Sequence, residues 1–189
     1  MQVGEMQKKL SVRAEKEPDH RFGDLYSLLY HDTWIRAAHA KVNRNNGRNT
    51  PGIDGETMAR FNENLERNLG ELKEQLKTET FEPLPVRRKI LRERKRDGRM
   101  KLRPLGIPAI RDRIVQETLR MILEPIWEAD FHPCSYGFRP HRSTQDAVAY
   151  LARSMIGSVG RIYLWAIEGD IAAYFDTISH RKLIKCLRK

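Results

Sequence analysis

Six consecutive apolar residues, Ile162-Tyr163-Leu164-Trp165-Ala166-Ile167, run directly into Glu168-Gly169-Asp170-Ile171-Ala172-Ala173-Tyr174-Phe175-Asp176. A run this short, apolar on both faces, reads as a strand buried from both sides. Such a strand belongs inside a sheet, so the chain must fold with partner strands along its edges and helices over its faces. Glu168 and Asp170 are two apart at the end of this run and share a face. A pair of carboxylates there serves either as oxygen ligands for Mg²⁺ or as structural partners for basic side chains. The residues themselves leave both readings open. Adjacent aromatics such as Tyr174 and Phe175 are, by themselves, packing residues.

The second constraint is charge. The 189 residues carry a net charge of +10, which calls for an anionic partner. Between Pro85 and Arg103, ten Lys or Arg face only Glu93 and Asp97, so this one segment holds +8 of that total. Charge so concentrated predicts a phosphate-facing surface; the plainer alternative is a solvated basic hairpin. No apolar run approaches the ~20 residues of a membrane-spanning helix, and the polar stretch from Met1 to Pro18 is unlike a secretory signal. Cys134 and Cys186 make no disulfide framework. The expectation is an intracellular protein that does not engage a membrane, cytoplasmic in a bacterial-type setting, with an organelle as the alternative.

Periodicity orders the rest. Residues 1–18 read as mobile or loosely helical. Leu25, Leu28, Leu29, Ile35, Ala38 and Val42 recur at helical spacing and predict a helix over 22–42. Asn43 to Gly55 is a loop rich in Asn, Gly, Thr and Pro. Phe61, Leu65, Leu69, Leu72 and Leu76 predict a second helix over 57–78. Asp97-Gly98 is a turn dipeptide between two extended runs, which predicts a hairpin. On its returning strand Lys101 and Arg103 share a face. A helix follows from Arg111 to about Asp130, bent at Pro125. His132 to Arg142 is an aromatic and basic loop in which Arg139 and Arg142 either grip phosphates and bases or pin the loop through backbone carbonyls. Ser143-Thr144-Gln145-Asp146 reads as a capping box opening a helix through Ala152. A short helix over 179–187 ends the sequence.

Five blocks then fall into one order: Thr50-Pro51-Gly52-Ile53-Asp54-Gly55; Lys101-Leu102-Arg103-Pro104-Leu105-Gly106-Ile107-Pro108; Arg111-Asp112-Arg113-Ile114-Val115-Gln116; Tyr136-Gly137-Phe138-Arg139-Pro140-His141-Arg142-Ser143; and the block from Gly169 to Asp176. In this order they resemble the N-terminal part of a bacterial group II intron-encoded reverse transcriptase, or maturase. The resemblance implies an α+β, right-hand polymerase, truncated after its first palm strand. An N-terminal extension with a template-contacting loop would occupy 1–56, the fingers 57–157, and the start of the palm 158–189. It further implies that Asp170 binds catalytic magnesium together with the backbone of Ile171, and that Phe175 excludes a 2′-hydroxyl. By the same resemblance Lys101 and Arg103 reach the incoming triphosphate. RNA contacts are implied for Arg139 and Arg142, and for Thr50 and Gly52 in the template loop. The hairpin tip, Arg92, Arg94, Lys95 and Arg96, is more arginine-rich than the usual family pattern and is assigned to RNA.

The Tyr-x-Asp-Asp motif of that family is not among the 189 residues, and a two-metal site needs its carboxylates. The expectation is therefore an RNA- and nucleotide-binding chain that does not polymerise alone. Its whole enzyme would use Mg²⁺, an RNA template, a DNA primer and dNTP. An unpaired palm-strand edge predicts self-association or a separate C-terminal half as partner. The rival reading is a stand-alone RNA-binding module, or a maturase remnant, that assists intron RNA folding.

Overall fold

The computed structural model describes residues 2–94, 98–156, 165 and 167–187, and divides into two compact units, 1–130 and 131–189. Among the described residues the first unit holds α1 (Val3–Lys16), α2 (Leu25–Leu29), α3 (Asp32–Arg44), a 3-10 turn (Asn46–Asn49), α4 (Met58–Glu63), α5 (Leu65–Lys77), β1 (Arg87–Arg94) and β2 (Met100–Ile107). Helix α6 (Ile110–Trp127) completes it. Its core takes the predicted Ile35, Ala38 and Val42 of α3 and Leu69, Leu72 and Leu76 of α5, together with Trp34 of α3 and Ile110, Ile114 and Ile122 of α6. Helix α6 packs against α1, α2 and α3, so it is the axis of this unit.

Both predicted long helices are divided, each for a local reason. The 22–42 segment breaks at Tyr30-His31, where the His31 imidazole accepts a hydrogen bond from the Thr33 N–H at 3.3 Å and caps α3. The 57–78 segment breaks at Asn64, whose backbone (φ −126°, ψ 45°) leaves the helical region. There the Asn68 side chain donates to the Phe61 carbonyl at 2.8 Å, satisfying an acceptor at the end of α4. The apolar stripe crosses the break undisturbed, which is why periodicity alone does not reveal it.

The N-terminal segment is a 14-residue helix rather than a loose one. Leu10 is buried, and Val3 and Met6 pack on the core. Pro125 lies inside α6 and cannot donate to the carbonyl of Met121, four residues before it. The Gln7 side-chain amide donates to that carbonyl instead, at 2.9 Å. Thus α1 supplies the hydrogen bond that proline removes.

The second unit carries α7 (Thr144–Met155), α8 (Tyr174–Thr177) and α9 (His180–Leu187). The predicted capping box is present: Ser143 Oγ accepts from the Asp146 N–H at 3.1 Å, and the Ser143 N–H donates to the Asp146 carboxylate at 2.9 Å. The Ser143 hydroxyl, which donates to the Asp146 carboxylate at 2.6 Å, and then the Ser143 N–H hold that carboxyl below its ordinary pKa. No described residue from 131 onward is buried; Val148 and Leu151 on α7 and Leu183, Ile184 and Leu187 on α9 are all exposed. The predicted strand over 162–167 lies mostly outside the described residues. Of it, Trp165 and Ile167 are described, and both are exposed.

Candidate nucleic-acid interface

The basic segment folds as the expected hairpin. β1 and β2 pair antiparallel from Arg87 opposite Ile107 to Arg94 opposite Met100. Gly98, beyond the tip residues, has φ +80°, a conformation that glycine adopts without steric cost. Lys95 and Arg96 lie outside the described residues.

Register decides which cations act together. Residues opposite one another across a ladder project to the same face, and neighbours along a strand to opposite faces. Lys101 faces Glu93 and Arg103 faces Leu91, so these four occupy one face with Lys89. Arg92 faces Leu102 and Arg94 faces Met100, so they lie with Arg88 and Ile90 on the other face. The residues expected to reach a triphosphate are therefore separated from the described residues of the tip expected to reach RNA. Both sets are exposed.

The face of Lys101 and Arg103 also carries an acid. Arg103 Nε lies 2.7 Å from Glu93 Oε2, and Glu93 stands directly opposite Lys101. One carboxylate thus sits amid Lys89, Lys101 and Arg103, a feature that composition hides because Glu93 is so outnumbered. The parity of the residue numbers around the turn carries the signal for it.

The loop expected to touch template is held by a residue not singled out from sequence. Arg113, on the first turns of α6, donates to the carbonyls of Pro108 at 2.9 Å, Gly47 at 2.9 Å and Thr50 at 2.7 Å. Burial lowers the Arg113 pKa from its ordinary value. Gly52 is buried, and a Cβ there would lie 2.5 Å from Ala109 Cα and 2.8 Å from Ala109 N. The close approach of two backbones therefore accounts for this glycine in packing terms. Beside it Asp112 is 3% exposed and accepts from the Leu84 N–H at 3.1 Å. Its other oxygen has no hydrogen-bond partner among the described residues. Desolvation raises its pKa above the ordinary carboxylate value.

In the second unit both loop arginines hold backbone. Arg139 donates to the carbonyls of His132 and Ser135, each at 3.0 Å, and stacks over Phe131. Arg142 donates to the Pro133 carbonyl and stacks over Tyr136. Asp170 and Glu168 are exposed. Among the described residues no three His, Cys, Asp or Glu side chains gather into a metal-holding group. Phe175, on α8, is 85% exposed and meets Tyr174 edge-on at 5.4 Å between ring centroids.

A family profile described as reverse transcriptase (RNA-dependent DNA polymerase) matches residues 93–189, about half of the chain. The chain belongs to the reverse transcriptase family. It is 41% identical over 189 residues to Protein YkfC of Escherichia coli (strain K12), covering 100% of this chain and 49% of that protein. It is 35% identical over 176 residues to the group II intron-encoded protein LtrA of Lactococcus lactis subsp. cremoris, covering 93% of this chain and 28% of LtrA. Over 82 residues it is 37% identical to nuclear intron maturase 1, mitochondrial, of Arabidopsis thaliana, covering 43% of this chain and 11% of that protein. This reverse transcriptase chain thus spans about half the length of YkfC and less of LtrA and the plant maturase. Mixed helix and hairpin are consistent with an α+β part of such a protein. No helix among the described residues is long and apolar enough to cross a membrane.

Proposed function

We propose that this chain is the template- and nucleotide-binding portion of a group II intron-type RNA-directed DNA polymerase, with an N-terminal extension over 1–56, fingers over 57–157 and the start of a palm over 158–189. The observation that carries the reading is the basic ribbon: Lys101 and Arg103 share one exposed face of an antiparallel hairpin. Arg presents a bidentate fork to phosphate and Lys a compact charge, a combination suited to a nucleoside triphosphate.

The remaining roles rest on the family. Asp170 is the magnesium ligand of this reading, with the Ile171 carbonyl beside it. Mg²⁺ is commonly held by one or two carboxylates, with waters and substrate phosphates completing its shell, and Asp170 is exposed and able to serve in that way. When bound, the ion offsets triphosphate charge. Phe175 is the gate against a 2′-hydroxyl; its exposed ring is available to a sugar. The template loop carrying Thr50 and Gly52 acts through its backbone, because Arg113 and the contact with Ala109 set its shape. Arg139 and Arg142 shape the loop over 131–142 and present their guanidinium faces stacked on aromatic rings. Primer, dNTP and RNA are the partners of the whole enzyme. Tested by themselves, the 189 residues do not extend a primer, because no Tyr-x-Asp-Asp motif lies among them, and they associate with a second copy or with a chain that carries that motif.

The test is equilibrium binding of a deoxynucleoside triphosphate, followed by fluorescence of a labelled nucleotide. Lys101→Ala combined with Arg103→Ala should weaken binding at least tenfold at 50 mM salt while thermal unfolding stays unchanged. Equal affinity in wild type and variant would remove the reading. Primer extension with Mg²⁺ that disappears in Asp170→Ala would overturn the statement that the chain does not polymerise alone.

A further inference from the structure

The face of the ribbon turned away from Lys101 and Arg103 has a distinct chemistry. Arg88, Arg92 and Arg94 project from β1, and no carboxylate projects beside them among the described residues. Interleaved with them are Ile90 on β1 and Met100 and Leu102 on β2, which are 48%, 57% and 61% exposed. Arg92 stands directly opposite Leu102, and Arg94 directly opposite Met100. The β1 rail of this face carries three arginines around Ile90 and the β2 rail is apolar; Arg92 and Arg94 each pair across the ladder with an aliphatic side chain, while Arg88 stands opposite Gly106.

We infer that this arginine-and-aliphatic face is a docking surface for single-stranded RNA. The inference deepens the RNA-binding reading above and rests on it. Arginines two apart along a strand repeat every ~6.6 Å, twice the strand rise, and line up with successive phosphates of an extended polynucleotide. The aliphatic rail lies beside them, where unstacked bases project. An apolar surface offers a base face a place to leave water, and a single strand has base faces to offer. A duplex keeps its base faces inside its own stack and presents phosphates and groove edges, so it would engage the arginines and leave the aliphatic rail wet. The uninterrupted positive charge of the face selects a polyanion over an apolar or acidic-free protein surface. By contrast the opposite face carries Glu93 paired to Arg103, so its charge is locally interrupted, and it is the cations Lys101 and Arg103 there that the proposed function gives to a compact triphosphate. The ribbon thereby separates polymer and monomer onto its two sides.

The experiment compares a 12-nucleotide single-stranded RNA with a 12-base-pair RNA duplex by fluorescence anisotropy, at several salt concentrations. Met100→Ser combined with Leu102→Ser should weaken single-strand binding about tenfold, within the range for losing one or two base contacts. It should leave duplex affinity within twofold and the salt slope unchanged. Arg92→Ala combined with Arg94→Ala should make the single-strand log–log slope shallower by about 1.4, at ~0.7 per phosphate contact. Ile90→Ser, a single change on the other strand, should reproduce a smaller single-strand loss and guards against a local effect of the double variant. Equal losses for duplex and single strand would overturn the inference. So would a single-strand loss that maps only to Lys101→Ala and Arg103→Ala, although RNA binding by the ribbon would then stand. Loss of self-association in sedimentation, with RNA binding intact, would assign the face to a protein partner and overturn it too. Absence of RNA binding by wild type at 50 mM salt would remove both the inference and the RNA-binding reading.

Discussion

Replacing Arg113 with Ala should release the loop over 46–55 from helix α6. The guanidinium bridges three carbonyls at 2.7 to 2.9 Å, two of them more than sixty residues away in sequence. Hydrogen bonds from a charged donor contribute about 1.5–3 kcal/mol each. The Gly47 carbonyl keeps a second partner in the Thr50 N–H at 3.0 Å, so its share is small. The Thr50 and Pro108 carbonyls lose their described side-chain donor, and burial of the guanidinium already costs part of the gain. The expected net loss is about 2–4 kcal/mol of unfolding free energy for the 1–130 unit. Arg113→Lys should recover less than half, because one ammonium cannot span three acceptors fixed by a planar fork. Urea unfolding followed by circular dichroism gives the energy, and hydrogen exchange of amides 46–55 gives the location. A loss under about 0.5 kcal/mol, with exchange in the loop unchanged, would refute the clasp.

Gly52→Ala should cost about 1–3 kcal/mol, the usual price of overpacking, since the new methyl would meet Ala109 backbone at 2.5 Å; urea midpoints unchanged from wild type would contradict this. Asp112 has a raised pKa through desolvation, so between the unfolded and folded values the folded form still holds a proton that the unfolded chain has released. Its contribution to stability therefore falls as pH rises from about 4 through the folded value, and Asp112→Asn, which keeps an acceptor for the Leu84 N–H, should flatten that part of the stability–pH curve. Glu93→Gln should tighten tripolyphosphate binding about twofold to fourfold at low salt, the scale of one exposed ion pair, because Arg103 loses its resident counter-charge; calorimetry showing weaker binding would instead make Glu93 an aid to the site. Total RNA binding should follow a log–log salt slope of roughly −3.5 to −4.5 for about five phosphate contacts at ~0.7 to 0.9 each, measured by filter binding, and a slope near zero would remove the ribbon from the interface.

Helix faces were legible because a buried stripe repeats every turn: the predicted Ile35, Ala38, Val42, Leu69, Leu72 and Leu76 all lie in the core. The breaks at His31 and Asn64 were not, since each depends on one side chain capping one backbone group and leaves the stripe intact. The hairpin followed from Asp97-Gly98, and the shared face of Lys101 and Arg103 from strand parity. That same parity places Arg92 and Arg94 on the other face, once a register is known to pair them with Leu102 and Met100. Arg113 escaped notice because its partners are carbonyls, which have no residue-type signature. For Arg139 and Arg142, residue type allowed two readings, and three-dimensional proximity to His132, Pro133 and Ser135 reveals that both hold carbonyls. Among the described residues Asp170 and Phe175 have no equivalent contacts that fix a role, and their proposed assignments come from the family resemblance.

The hydrogen bond from Gln7 to the Met121 carbonyl makes the chain's first helix answerable for a defect in a helix more than a hundred residues later. A proline in mid-helix ordinarily leaves its orphaned acceptor to water or to a kink. Here the acceptor is an address that only a donor at one height along α6 can occupy, so it sets how far α1 slides as well as whether it docks. A shift of α1 by one turn would keep an apolar side chain near the Leu10 site, since Met6 and Val3 also pack on the core. It would move the amide about 5.4 Å from its carbonyl and leave that carbonyl bare. Hydrophobic contact brings the two helices together, and a single polar atom chooses the notch in which they stop.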